Sequence, residues 1–126
     1  DGHHVDFAAI QIAKKIMKER LFAITDAVTE TTTGAYRHYL AGDKYECDGI
    51  LSGSAISMYQ GFINLVKNVG LPVEEAHRMC SLYPAQILKC NSFGRMGKGY
   101  NADFVVLDND LKLKNVISKG SLLRDF

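Results

Sequence analysis

The pattern of apolar and polar positions opens with an amphipathic helix followed by a short apolar strand. Over Phe7–Arg20, apolar side chains recur every third or fourth residue and charged or amide side chains occupy the opposite face. This spacing predicts a helix, and Asp6 is placed to cap its start. Leu21–Thr25 follows directly, with every residue apolar or β-branched. Such a run is typical of a strand buried on both faces of a parallel sheet, and Asp26 ends it.

Further helices and strands are predicted downstream. The second helix is expected from Ser54, a good N-cap residue, to Gly70, which suits the position just past a helix end. A third helix is expected to begin at Pro72, and a short one over Pro84–Leu88. Asp48–Gly53 is expected to be a loop. Strands at hairpin spacing are predicted over Gly34–Leu40, Lys44–Cys47, Phe104–Leu107, Leu113–Ser118 and Ser121–Arg124.

The character of the sequence changes after Cys90. Asn91–Gly99 is rich in glycine and polar residues, which is typical of a boundary between structural units. We therefore expect two units, residues 1–90 and residues 91–126. The chain opens without an initiator Met on a polar cluster, Asp1–Asp6, so we expect it to be part of a larger protein.

Composition narrows the class of protein. The 15 Lys and Arg residues nearly balance the 14 Asp and Glu residues, so nothing favours a nucleic-acid partner. No apolar run approaches the roughly 20 residues of a membrane helix, which argues against a membrane partner. Cys47, Cys80 and Cys90 are odd in number and lack CxxC spacing, which indicates reduced, buried thiols and a cytoplasmic location.

Asp26 is the first candidate for chemistry. A carboxylate at the carboxyl end of a buried parallel strand is where α/β barrels place catalytic groups. In such a barrel, a helix and its following strand return the chain to the same rim, so His3 or His4 would meet Asp26 there. The alternative is that Asp26 only caps a turn or a helix. These residues alone leave both interpretations open.

Five motifs carry a resemblance to a known family. In chain order they are Asp1–Asp6, Thr25–Ala27, Leu51–Ser54, Tyr83–Ala85 and Gly97–Asp108. Together they resemble the C-terminal third of the sugar deacetylases of the amidohydrolase superfamily. The resemblance implies an α/β fold: the last units of a metal-dependent (β/α)8 TIM barrel, followed by the C-terminal strands of a small β-sandwich domain.

The resemblance also implies a reaction and its partners. The complete protein would hydrolyse the acetamide of N-acetylglucosamine 6-phosphate, a phosphorylated amino sugar, to glucosamine 6-phosphate and acetate. It would use a divalent metal ion, zinc or similar, whose ligands lie upstream of this chain, and it would form a homodimer. His3, His38 and His77 do not match the family's metal positions. The alternatives are a deacylase of another N-acyl sugar or amino acid, and a non-catalytic fragment.

Site residues follow from the same resemblance. Asp26 matches the residue that takes a proton from the attacking water as general base and then donates it to the leaving amine as general acid. Its carboxylate could also touch the metal. His4 matches a histidine that contacts the sugar, the alternative being a histidine that fills a polar rim. Leu51, Ser52 and Gly53 match a substrate-lining loop, the alternative being the entry to a helix.

Overall fold

The computed structural model describes residues 1–125, which form four α-helices and two three-stranded antiparallel sheets. The helices are α1 (Phe7–Met17), α2 (Met58–Lys67), α3 (Val73–Cys80) and α4 (Leu82–Ile87). The first sheet has the order β1 (Tyr39–Ala41), β2 (Lys44–Cys47), β3 (Ile50–Ser54), and the second β4 (Phe104–Leu107), β5 (Leu113–Ser118), β6 (Ser121–Asp125). In this part of the chain, no helix is long and apolar enough to cross a membrane.

The predicted helices are confirmed, with changes at their ends. The Asp6 carboxylate accepts a hydrogen bond from the Ala8 N–H at 2.7 Å and caps α1, which ends at Met17 in a 3-10 turn. The N-cap of α2 is Ser57, whose hydroxyl oxygen accepts from the Gln60 N–H at 3.1 Å. The prediction of Ser54 as this cap is therefore wrong, because Ser54 is still part of β3.

The core lies between the helices that follow the first sheet. α2 contributes Phe62 and Leu65, α3 contributes Ala76 and Met79, and α4 contributes Tyr83, all of them buried. α1 packs against this cluster through partly buried side chains near its start. The helices therefore share an apolar core of their own. The segment after α1 packs against this core.

The expected strand Leu21–Thr25 is not a strand in the structure. One backbone hydrogen bond, from the Ala23 N–H to the Met79 carbonyl at 3.0 Å, holds it against the end of α3. Phe22 and Ile24 are exposed rather than buried, Ile24 to 69%. The physical reason is that a buried parallel strand needs a hydrogen-bonded neighbour on each side, and residues 1–125 do not supply two.

The first sheet also corrects the sequence prediction. The strand expected from Gly34 begins only at Tyr39, and the loop expected over Asp48–Gly53 is wrong, because β3 occupies most of it. Asp48 and Gly49 have φ values of 52° and 77° and join β2 to β3 in a two-residue turn. Asp-Gly with positive φ at both residues is a favoured hairpin turn, so the sequence held a signal for β3.

The second sheet follows the prediction closely. Its three strands begin where the sequence places them, and β6 extends one residue beyond the expected Arg124. The Tyr59 hydroxyl donates to the Leu111 carbonyl at 2.8 Å, and Leu107 packs against the helical core. The sheet is thus attached to α2. The division into units at residue 90 stays a prediction.

A polar contact joins three of the helices at the edge of the core. Lys14 of α1 forms an ion pair with Glu75 of α3, and the Tyr83 hydroxyl of α4 donates to the Glu75 carboxylate at 2.9 and 3.1 Å. Burial on its own would raise the pKa of Glu75. Hydrogen bonds from Lys14 and Tyr83 outweigh this effect and hold the pKa below its usual value.

We predict that Tyr83→Phe lowers the free energy of unfolding by about 1.5–3 kcal/mol, because a hydrogen bond to a charged group is lost. A carboxyl group whose folded pKa is lowered stabilises the fold above its unfolded pKa, and this contribution is lost as the pH falls through the folded value. The deficit should therefore shrink in acid. Denaturant unfolding of the purified protein at about pH 7 and about pH 3 measures both effects.

Tyr36→Phe is the matched control, because Tyr36 is 72% exposed and should tolerate the change without loss. The account of this contact is wrong if Tyr83→Phe is as stable as the wild type at neutral pH. It is also wrong if the deficit is unchanged in acid.

Candidate functional site

Ser54 is the residue at which the parts of the candidate site meet. It is fully buried at the end of β3 and pairs with Lys44 of β2 on one side. On the other side its N–H donates to the Asp26 carbonyl at 3.0 Å, and its carbonyl accepts from the Val28 N–H at 3.2 Å. These two bonds form a parallel bridge between Ala27 and Ser54. The bridge places the end of the Leu21–Asp26 segment beside the end of β3.

Asp26 lies directly before this bridge with an exposed side chain. Its φ of 51° is in the left-handed region, which Asp enters more easily than most residues. Its carboxylate makes no hydrogen bond or ion pair with any other residue from 1 to 125, and no helix begins beside it. The capping alternative therefore has no support, and the carboxylate is open to an incoming ligand.

The predicted substrate-lining residues lie on a strand and not on a loop. Leu51, Ser52 and Gly53 belong to β3, so the helix-entry alternative is wrong as well. A Cβ atom on Gly53 would stand 2.4 Å from Val28 Cγ2, which is closer than atoms can approach. Only glycine at this position lets the segment after Asp26 lie against β3.

The N-terminal cluster reaches the same region through a contact that the sequence did not indicate. The Asp1 carboxylate contacts His4 Nδ1 at 2.5 Å and accepts hydrogen bonds from the backbone N–H groups of His3 and His4. His3 Nε2 lies 2.9 Å from an oxygen of the Asp43 carboxylate in the β1–β2 turn. This hydrogen bond from His3 lowers the pKa of Asp43.

His3 therefore has a structural role, although the resemblance gives it none. The Asp43 carbonyl accepts from the Ala55 N–H at 3.3 Å, one residue past the bridge. His3 thus connects the N-terminal cluster, which includes His4, to the β1–β2 turn. This turn lies beside Ser54. No signal in the sequence pairs residues 3 and 43, since the contact depends on where the first sheet lies.

A metal ion is the group that the family resemblance implies. Within the described range, no three His, Cys, Asp or Glu side chains come together in a group that could hold one. Asp26 by itself would supply only one carboxylate ligand. The side chains of residues 1–125 do not fit a metal centre by themselves.

Comparison with known proteins places this arrangement in a family of hydrolases. A sequence model of the amidohydrolase family matches residues 2–123. The chain therefore belongs to the amidohydrolase family.

Individual relatives narrow the likeness to sugar deacetylases. The N-acetylglucosamine-6-phosphate deacetylase of Bos taurus is 35% identical over 133 residues, covering 98% of this chain and 32% of that protein. The N-acetylgalactosamine-6-phosphate deacetylase of Escherichia coli O157:H7 is 32% identical over 131 residues, covering 97% of this chain and 35% of its own. The crystal structure of N-acetylglucosamine-6-phosphate deacetylase from Pasteurella multocida matches all of this chain and 35% of its own, with 28% identity and a TM-score of 0.90. The chain thus spans about a third of the length of each of these proteins.

We predict that Gly53→Ala destabilises the protein by about 1–3 kcal/mol, the usual cost of overpacking. The new methyl group would push Val28 away and break its hydrogen bond to the Ser54 carbonyl. Val28→Ala removes the two Cγ atoms that the methyl group meets, at 2.4 and 2.7 Å, so the double variant should regain most of the loss. Denaturant unfolding of the two single variants and the double variant measures this.

Gly61→Ala in α2 is the matched control, because its nearest neighbour is Ile56 Cδ1 at 3.9 Å and alanine suits a helix. It should be neutral or stabilising. Destabilisation by Gly53→Ala that Val28→Ala does not relieve would contradict the close approach of these two segments.

Proposed function

We propose that the complete protein containing this chain hydrolyses the acetamide of N-acetylglucosamine 6-phosphate. The products are glucosamine 6-phosphate and acetate, so the reaction belongs to amino-sugar catabolism. The observation that carries this proposal is the open carboxylate of Asp26 beside β3. Membership of the amidohydrolase family supports hydrolysis as the reaction class.

The proposed architecture is a (β/α)8 TIM barrel, of which residues 1–90 form the last units. Support comes from the parallel bridge between Ala27 and Ser54, with α1 preceding the first partner and α2 following the second. The exposed apolar side chains of Ile12, Ile16 and Ile24 offer surfaces for neighbouring units to cover. Residues 91–126 are proposed to contribute strands to a small β-sandwich domain.

The proposed chemistry of this chain is proton transfer by Asp26. A water molecule attacks the acetamide carbonyl carbon, forming a C–O bond, while the Asp26 carboxylate takes the proton that the water loses. Asp26 then donates this proton to the amide nitrogen, the C–N bond breaks, and the amine leaves with acetate as the second product. An open carboxylate can accept a proton in the first step, and the carboxylic acid so formed can donate it in the second.

The other site residues are proposed to hold the sugar. His4 has an imidazole that can donate to or accept from a hydroxyl group, and the Asp1 carboxylate fixes its orientation. Ser52 offers a hydroxyl group on β3, and Leu51 and Gly53 are its neighbours on the same strand. These residues reach the neighbourhood of Asp26 through the bridge at Ser54 and the contact between His3 and Asp43.

Three further features of the complete protein are proposals. A divalent metal ion, zinc or similar, would be held mainly by side chains outside these 126 residues, with Asp26 in reach of it. The enzyme would be a homodimer. A reducing, cytoplasmic compartment suits the three free thiols. Burial raises the pKa of the Cys80 thiol to about 11, which keeps it unreactive, whereas Cys90 is exposed and the prediction of a buried thiol is wrong there.

We predict that Asp26→Asn in the complete protein lowers kcat on N-acetylglucosamine 6-phosphate by about 10²- to 10⁴-fold, the usual contribution of a general base. Asparagine keeps the size of the side chain and tolerates the left-handed backbone, so the variant should fold normally. Release of acetate and free amine is the measurement.

Asp48→Asn is the matched control, because Asp48 is also exposed and has a φ of 52°. It should keep wild-type turnover. Turnover at the wild-type rate in Asp26→Asn would show that Asp26 is not the proton-transfer group.

A substrate panel separates the alternatives. It comprises N-acetylglucosamine 6-phosphate, its galactose-configured epimer, the unphosphorylated sugar and an N-acetyl amino acid. Preference for another compound of this panel would indicate a deacylase of a different N-acyl substrate. Absence of turnover on all of them would favour a non-catalytic role.

A further inference from the structure

The candidate site contains a contact between a histidine and a serine, and the proposed function gives the histidine no role. His38 Nδ1 lies 2.9 Å from the Ser52 hydroxyl oxygen, and both residues are partly buried. The two residues are 14 positions apart and lie on separate segments, since His38 directly precedes β1. The contact is therefore made by the fold and is not a local turn interaction.

Ser52 is the residue of β3 that the sheet holds least firmly. Tyr45 of β2 pairs with Gly53 and Glu46 pairs with Leu51, so Ser52 is the extra residue of a β-bulge and has no partner of its own on β2. Bulges turn a side chain away from its regular direction and are frequent beside active sites. The direction of the Ser52 hydroxyl group must then be set by something other than the strand ladder.

His38 is well placed to set it. Its carbonyl oxygen accepts a hydrogen bond from the Thr31 N–H at 3.2 Å, and the next residue enters β1. The backbone of His38 is thus tied both to the loop after Asp26 and to the first sheet. The Cα of His38 is therefore held in place, and its ring reaches the Ser52 hydroxyl group from there.

We propose that His38 is a positioning residue that holds the Ser52 hydroxyl group toward the substrate. A serine hydroxyl rotates freely unless a partner fixes it, and the imidazole Nδ1 can act as either donor or acceptor in this role. With the rotor fixed, Ser52 meets a sugar hydroxyl group without a loss of rotational freedom on binding. This inference rests on the proposed function, because it requires that Ser52 contacts the sugar.

The test is a double-mutant cycle on the complete protein with N-acetylglucosamine 6-phosphate. We expect Ser52→Ala and His38→Ala each to raise KM by about tenfold, with kcat changed little, because both remove one binding contact. If His38 acts through Ser52, the double variant should have the same KM as Ser52→Ala alone. His38→Asn offers a polar group near the position of Nδ1 and should recover most of the affinity.

His77→Ala is the matched control. His77 also contacts a serine hydroxyl group, that of Ser81 at 3.3 Å. This contact is local, because His77 lies in α3 and Ser81 directly follows that helix. This variant should keep the wild-type KM. A general loss of stability from removing a histidine would appear in His77→Ala too, whereas the proposed effect would not.

The outcomes separate this inference from the proposed function. If the wild type turns over the substrate while the two single effects multiply in the double variant, His38 does not act through Ser52 and the inference is overturned. An unchanged KM in His38→Ala overturns it as well. If the wild type neither binds nor hydrolyses the substrate, the proposed function fails, and the inference fails with it.

Discussion

The backbone bridge between Ala27 and Ser54 is the contact on which the candidate site depends. Before it lies the segment that ends in Asp26, and beyond it lies β3 with Ser52. Its two hydrogen bonds are the only ladder contacts by which the segment after α1 joins the first sheet in the described range. Without them the backbone beside Asp26 would lose its hydrogen-bonded register with the strand that carries Ser52, and only the packing of Val28 on Gly53 and the loop through His38 would relate the two.

Two local backbone features make this bridge possible. Gly53 leaves the space into which Val28 packs, and Asp26 adopts a left-handed conformation directly before the bridge. Left-handed non-glycine residues are uncommon, and they cluster where the surrounding structure holds a functional geometry. Five other non-glycine residues in the described range share this conformation, among them Asp48, where a two-residue hairpin turn accounts for it. At Asp26, the conformation coincides with a carboxylate left open.

The sequence predicts well what local pattern determines. The apolar spacing of α1 and the hairpin spacing of β4–β6 depend on neighbouring residues, and the structure confirms both. The prediction of a strand over Leu21–Thr25 is wrong because a parallel strand depends on neighbours far along the chain. The contacts of His3 with Asp43 and of His38 with Ser52 span 40 and 14 positions, and no local sequence pattern indicates either of them. Asp26 and Ser52 could be proposed from motifs, whereas their mutual placement could not.

A crystal structure of the complete protein carrying Asp26→Asn, with N-acetylglucosamine 6-phosphate bound, tests the placement of Asp26 at the site most directly. We expect the acetamide to lie beside residue 26, at a hydrogen-bond distance of about 3 Å or linked through one water molecule. We also expect sugar hydroxyl groups in contact with Ser52 and His4. A sugar bound with its acetamide away from residue 26, and with Ser52 facing no part of it, would contradict the account.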